Sequence, residues 1–278
     1  MNNYYTAKEA IKKLGIPRST FYDLVKANEI PKVTVPLRKQ AFYPRQKIDE
    51  LAEERARILG ELEQTPGRLV FTIPLREDLE QLVDIDRMIF HEETLILPEE
   101  QQKRFVYNPE VIHVLKDTKT NMVVGGITMS PIRKDILERL IKLEIDETQV
   151  KPEDYLPYTT NAPLDCYIIG IVVRPNVVAA YYGSRLFQAT LNYMIELLNR
   201  GVIIRHIYTV ATTHDGERLA QRLHFTLLHS NWTGEHEDFR HSYVLDLESA
   251  ESKSMLVKKY LKHRMNLERR RKRYKKQR

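Results

Sequence analysis

Tyr4-Tyr5-Thr6-Ala7-Lys8-Glu9-Ala10-Ile11-Lys12-Lys13-Leu14-Gly15-Ile16-Pro17-Arg18-Ser19-Thr20-Phe21-Tyr22 is the stretch from which the rest of the chain can be read. It encodes two short helices joined by a glycine turn. Thr6 suits an N-cap, and Glu9 three residues later closes a capping box. Ala7, Ala10, Ile11 and Leu14 make one apolar face at helical spacing. Gly15 ends that helix, because glycine accepts the left-handed backbone of a C-cap. A second helix starts near Pro17 or Arg18, proline being at home in a first turn. Its inner face is Phe21, Leu24 and Val25. Its outer face carries Arg18, Ser19, Thr20, Tyr22 and Lys26. This is the logic of a helix-turn-helix, whose second helix is shaped for a major groove. The plainer reading is a helical bundle with a basic face.

Ile30-Pro31 closes the unit. Lys32-Val33-Thr34-Val35 and Gln40-Ala41-Phe42-Tyr43 then alternate like hairpin strands around a Leu37-Arg38-Lys39 tip. A basic tip beside such a helix is placed to touch phosphates, with Arg38, Lys39 and Arg45 as the cations. Ile48 to Leu62 reads as a further helix. Its stripe of Ile48, Leu51, Arg55, Ile58 and Leu62 either packs against the wing or pairs with a second copy, so a homodimer is one expectation. Thr65-Pro66-Gly67 breaks this helix. Residues 1–59 are therefore expected as one domain and 60–67 as a linker. On Thr6-Ala7-Lys8-Glu9-Ala10, Gly15-Ile16, Arg18 to Tyr22, Ile30-Pro31, Phe42-Tyr43 and Ile48, the segment from 4 to about 55 resembles the winged helix-turn-helix of the MerR-type and phage-excisionase families. The resemblance implies binding to double-stranded DNA and a transcriptional regulator.

The 278 residues carry 44 Lys/Arg against 38 Asp/Glu, a net charge of +6 that hides a pattern. Residues 1–59 hold 12 Lys/Arg and 7 Asp/Glu, and residues 253–278 hold 13 basic residues against Glu268 alone. The intervening chain is strongly acidic. Basic ends around an acidic centre suit contact of the ends with nucleic acid; attraction between tail and centre suits the same charges. The basic tail, 251–278, has no base-reading pattern and would add salt-sensitive affinity or stay a solvated extension. No apolar run is long enough for a membrane helix, and the polar N-terminus lacks a signal core. The single cysteine, Cys166, fits a reducing cytoplasm and reads as a core residue.

From Arg68 strands and helices alternate. Leu69 to Ile73 is a strand and Arg76 to Phe90 an amphipathic helix. Val111 to Leu115 and Met122 to Met129 form a hairpin around a polar turn. Tyr167 to Val173 is a buried strand, Gly183 to Asn199 a helix, Val202 to Thr212 a strand, Gly216 to Leu223 a helix and His241 to Leu247 a closing strand. The expected fold is α/β, a mixed sheet with helices on both faces, over 68–250. A segment at about 131–164 is inserted between two strands. It is acidic and proline-rich, and it could be a lid or a solvated loop.

Ile171-Val172-Val173-Arg174-Pro175 leading into Tyr182-Gly183-Ser184-Arg185-Leu186 resembles the GNAT acetyltransferase superfamily, as does Arg218 to Phe225 after the strand Ile207 to Thr212. The resemblance spans about 68–247. It implies acetyl-CoA as ligand or substrate, held along Ile171, Val172 and Val173 and at a turn including Tyr182, Gly183, Ser184 and Arg185. There, helix N-terminal amides and the positive helix end would take the pyrophosphate. The family's turn usually reads Arg/Gln-x-x-Gly-x-Gly/Ala. Here the places are Val178-Ala179-Ala180-Tyr181-Tyr182-Gly183, with Tyr181 where a glycine stands, and Arg174 or Arg185 would have to supply the missing charge. Ala220 occupies the place of the family's tyrosine acid. If an acetyl group moves to an amine, His214 with Asp215 is the acid–base pair to expect; the alternative is that Asp215 merely caps a helix. The histidines show no metal-ligand spacing. The expected protein is a cytoplasmic DNA-binding regulator coupling the N-terminal domain to an acyl-CoA domain. The alternative is an active N-acetyltransferase that uses its N-terminal domain for targeting.

Overall fold

The computed structural model describes residues 3–34, 41–65, 67–90, 95–231 and 240–276. The chain divides into two units, residues 1–91, 114–126 and 172–186 in the first and residues 92–113, 127–171 and 187–278 in the second.

The first unit begins with β1 (Tyr4–Thr6), α1 (Ala7–Leu14), α2 (Arg18–Lys26), β2 (Val33–Thr34), β3 (Ala41–Pro44) and α3 (Arg45–Gln64). The capping box forms as the sequence requires. Thr6 Oγ1 accepts from Glu9 N–H at 3.3 Å, and Glu9 Oε2 accepts from Thr6 N–H at 2.8 Å. Gly15 takes the left-handed backbone at φ +62° and donates to Ile11 O at 2.9 Å. Ala10, Leu14, Phe21, Leu24, Ile30, Tyr43 and Ile48 are buried together. The Phe21 and Tyr43 rings meet edge to face at 4.8 Å, a favoured aromatic geometry. β3 is the middle strand of a three-stranded antiparallel sheet, with β1 on one side and β2 on the other. β1 was not expected as a strand; it enters because Tyr5 pairs with Tyr43 in register. α3 continues to Gln64, so residues 60–64, expected as linker, are helical.

The rest is a seven-stranded mixed sheet, β4 (Leu69–Thr72), β5 (Ile112–Asp117), β6 (Met122–Pro131), β7 (Leu164–Val173), β8 (Ile204–Ala211), β9 (Thr226–Ser230) and β10 (His241–Asp246), in the order β4-β5-β6-β7-β8-β10-β9. It is flanked by α4 (Arg76–Ile89), α5 (Pro98–Arg104), α6 (Lys134–Ile141), α7 (Ala179–Asn199), α8 (His214–Arg222) and α9 (Met255–Lys276). β7 and β8 are parallel and joined through α7, a crossover that parallel pairing requires. β4 pairs with β5, and β10 with both β8 and β9, antiparallel. The segment 131–164 holds α6 and two short 3₁₀ turns, Glu147–Gln149 and Pro152–Asp154.

Two corrections fall at the C-terminal side. Thr226–Ser230, unassigned from sequence, is an edge strand on β10. The basic tail is helical from Met255: Leu256, Val257 and Tyr260 are buried, and the Tyr260 hydroxyl accepts from Ile204 N–H at 2.9 Å.

In the first unit, Arg68 is 7% exposed and grips Asp117 with two N–H groups, Nε to Oδ1 at 2.8 Å and Nη2 to Oδ2 at 2.6 Å. Glu61 on α3 reaches Arg68 at 3.2 Å and Lys119 at 2.7 Å. Those bonds, led by Lys119 and Arg57, pull the Glu61 carboxyl down to about 2.

Candidate functional sites

α2 places its cations by helical spacing. Phe21 and Leu24 are buried, which turns Arg18, Tyr22 and Lys26, four residues apart, onto the exposed side. The Arg18 guanidinium lies over the Tyr22 ring at 5.6 Å. Ser19 and Thr20 are half-buried at the edge of this stripe. Arg45, the first residue of α3, is exposed, and its guanidinium sits 4.7 Å over the Tyr5 ring. Arg38 and Lys39 fall in 35–40, outside the described residues. An exposed aromatic between two cations, with one edge of the helix polar, can meet phosphates and base edges alike.

The second region is β7 and the turn that follows it. The paired register of β7 with β8 runs from Leu164↔Ile204 to Ile168↔Thr209, while β7 itself continues to Val173 and β8 to Ala211. Past Ile168 the strand leaves its partner. Ile168, Ile169, Gly170 and Ile171 are all half-buried, where a central strand is usually closed on both faces. A Cβ built on Gly170 would meet no atom within 4 Å. Glycine inside a strand often marks a close approach to a ligand or another backbone; Gly170 was legible as a glycine but not as a gap. In the first unit, by contrast, a Cβ on Gly125 would come within 2.7 Å of Val172 O, so β6 and β7 are tightly apposed there.

Of the residues expected to hold acyl-CoA, Val172 and Tyr182 are buried, whereas Ile171, Val173 and Gly183 are half-buried and Ser184 and Arg185 exposed. The turn's amides are largely engaged within the chain. Val178 N–H donates to Asn176 Oδ1 at 2.9 Å, Ala179 N–H to Asn176 O at 3.1 Å, and Tyr181 and Tyr182 N–H to Val178 O at 2.9 and 3.1 Å. Arg174 is tied to β6, its N–H donating to Val124 O at 2.9 Å and its Nε to Val123 O at 3.2 Å. Arg185 stacks on Tyr181 at 5.9 Å, and both line a cavity of about 390 Å³ with Leu62, Arg68 and Leu69.

One contact was invisible in the sequence. Arg55 on α3 donates from Nε to Val177 O at 3.1 Å. The same guanidinium lies against the helix-turn-helix glycine, 3.8 Å from where a Gly15 Cβ would be.

The two residues expected as an acid–base pair each face another charged side chain. His214 is 77% exposed at the start of α8 and faces Glu217 at 3.8 Å, while Asp215 pairs with Arg218. Nor does Asp215 cap the helix: Thr213 does, its hydroxyl accepting from Gly216 N–H at 3.1 Å. A different pair is formed in the second unit. His206 Nδ1 lies 2.8 Å from Asp165 Oδ1, and Arg205 donates to Asp165 Oδ2 at 2.9 Å. Asp165 and His206 are register partners on parallel strands, so their side chains share one face. Burial would raise the Asp165 carboxyl, yet the bonds from Arg205 and His206 hold it below its ordinary value.

The family model of the helix-turn-helix domain matches residues 4–56. No curated protein matches the chain. Among solved structures, the loading GNATL domain of CurA from Lyngbya majuscula is similar at 16% identity and a TM-score of 0.48, covering 64% of this chain and 97% of that one. Ard1 from Thermoplasma volcanium is similar at 12% identity and a TM-score of 0.43, covering 64% and 97%. The GphF GNAT-like decarboxylase in complex with isobutyryl-CoA is similar at 15% identity and a TM-score of 0.45, covering 64% and 98%.

Proposed function

We propose that the protein is a DNA-binding regulator whose winged helix-turn-helix is coupled to acyl-CoA binding along β7 and the turn after it. The DNA half rests on the exposed stripe of Arg18, Tyr22 and Lys26 on α2. Arg18 and Tyr22 read bases, and Lys26 and Arg45 hold the phosphate backbone. The acyl-CoA half rests on the open strand at Gly170, where a pantetheine amide chain could add to β7 without displacing a side chain. Coupling rests on Arg55, which donates to the turn carbonyl of Val177 and lies beside the helix-turn-helix glycine. A ligand that shifts that turn shifts Arg55, and through it the seat of α1 and α2.

Two measurements test this reading. Arg18→Ala should relax sequence preference in a DNA-binding titration, whereas Lys26→Ala should weaken all sequences alike. If both variants leave affinity and preference intact, the assignment of α2 fails. Saturating acetyl-CoA should change DNA affinity by roughly fivefold or more, the lower edge of typical allosteric coupling, and Arg55→Met should remove the effect. Acetyl-CoA binding by calorimetry without any change in DNA affinity would sink the coupling.

The His206–Asp165 pair favours a second reading, an N-acetyltransferase delivered by its N-terminal domain. Asp165 would fix the imidazole and its Nε2 would take the proton of an acceptor amine. Transfer of acetyl groups to an amine panel, lost in His206→Asn, is the expected outcome under this reading.

A further inference from the structure

Arg104, the last residue of α5, is 4% exposed. Among the described residues its guanidinium makes no hydrogen bond and joins no ion pair; what it meets is the face of the Tyr155 ring, 4.7 Å from Cζ. Two buried polar atoms around it lack a partner among the described residues. Tyr155 is 1% exposed and its hydroxyl has no hydrogen-bond partner, and the same holds for Oε1 of Gln101, whose Nε2 donates to Ile96 O at 2.9 Å. A guanidinium carries five N–H donors in a fixed fork. With no acceptor from the described residues, that fork is left to the cavity that Arg104 lines. A ring face answers the charge but not the directional N–H groups. Burial also pulls the Arg104 pKa down from its ordinary value, while an arginine remains a cation.

The reason to keep such a group is beside it. Arg104 lines a cavity of about 220 Å³ with Leu95, Leu97, Thr148, Val150 and Pro152. Glu100 is also on the wall; its carboxylate pairs with Lys103 and also attracts the Arg104 charge. The cavity is smaller than the ~300 Å³ at which pockets for drug-sized ligands begin, and its walls are mostly aliphatic. We propose that this cavity binds a small monocarboxylate with a short aliphatic body, its carboxylate taken by the Arg104 fork. A carboxylate matches two parallel N–H groups of a guanidinium, and the aliphatic body matches the leucine, valine and proline walls. The site lies wholly within the second unit. It uses neither β7 nor α7, so it stands independently of the acyl-CoA reading.

Calorimetry of the full chain with 4-methylvalerate, and with 4-methylvaleramide as the uncharged isostere, tests it. The carboxylate should bind in the millimolar range or tighter, and the amide at least tenfold more weakly. Arg104→Met should lose the carboxylate at least tenfold, with an unchanged melting temperature as the control that the variant folds. Val150→Phe, which keeps Arg104 and fills the cavity, should lose it too. The proposal is overturned if the natural protein binds neither probe, if the amide binds as well as the carboxylate, or if Arg104→Met retains the carboxylate. If Arg104→Met fails to fold, Val150→Phe decides, and carboxylate binding retained by that variant overturns the proposal.

Discussion

Burial pushes the carboxyl of Asp86, on α4, up to about 7. Between its unfolded value near 3.8 and that folded value, the native state holds a proton that the unfolded chain has released. Its contribution to stability is therefore complete below about pH 4 and is lost as the pH rises through 7, at up to about 1.4 kcal/mol per pH unit. Asp86→Asn should flatten urea-unfolding stability between pH 4 and 8 and make the protein more stable at pH 8; an unchanged pH profile would show that Asp86 is not the titrating group. At this scale the sequence was informative where a residue's role follows from spacing along one helix, as with Phe21 and Leu24 inside and Arg18, Tyr22 and Lys26 outside. Spacing says less of His214 and Asp215, which as neighbours at a helix start face Glu217 and Arg218. The sequence was silent on Gly170 and Arg104, whose meaning lies in the space around them and not in their identity.

Among elements, the decisive joint is the Arg68–Asp117 pair, which fastens the β4–β5 pairing, with Glu61 linking it to the end of α3. Asp117→Ala would leave Arg68 buried without its partner and should cost about 3 kcal/mol or more in urea unfolding. Replacing both residues with leucine and methionine should cost less than that single change, and the reverse order would show that Asp117 acts by something other than pairing. Elements with strong periods or caps were legible: α1 with its capping box, the β5–β6 hairpin, and β7. β1 escaped because three residues carry no period and exist as a strand only by pairing with β3. β9 escaped because every residue of it is exposed, so no alternation could mark a buried face. α9 escaped because its apolar anchors, Leu256, Val257 and Tyr260, occupy only its first turns, and the rest reads as charge.

For the whole molecule the charge pattern is the property that no single element carries. With cations gathered at both ends of the sequence, affinity for duplex DNA should fall steeply with salt. Truncation after Glu268 should leave sequence preference unchanged and make that dependence shallower, by about 0.9 in logarithmic slope for each phosphate that the tail no longer neutralises. An identical slope would remove residues 269–278 from the DNA interface. β7 links the scales in another way, since it runs from one unit into the other and carries Cys166, the protein's single cysteine, with 0% exposure and a thiol that burial drives to high pKa. Native protein should therefore react with a maleimide only when this strand opens, so the labelling rate in the absence of denaturant reads the opening free energy of β7. Slower labelling in saturating acetyl-CoA would register ligand on that strand without a dye, a tag or an activity assay.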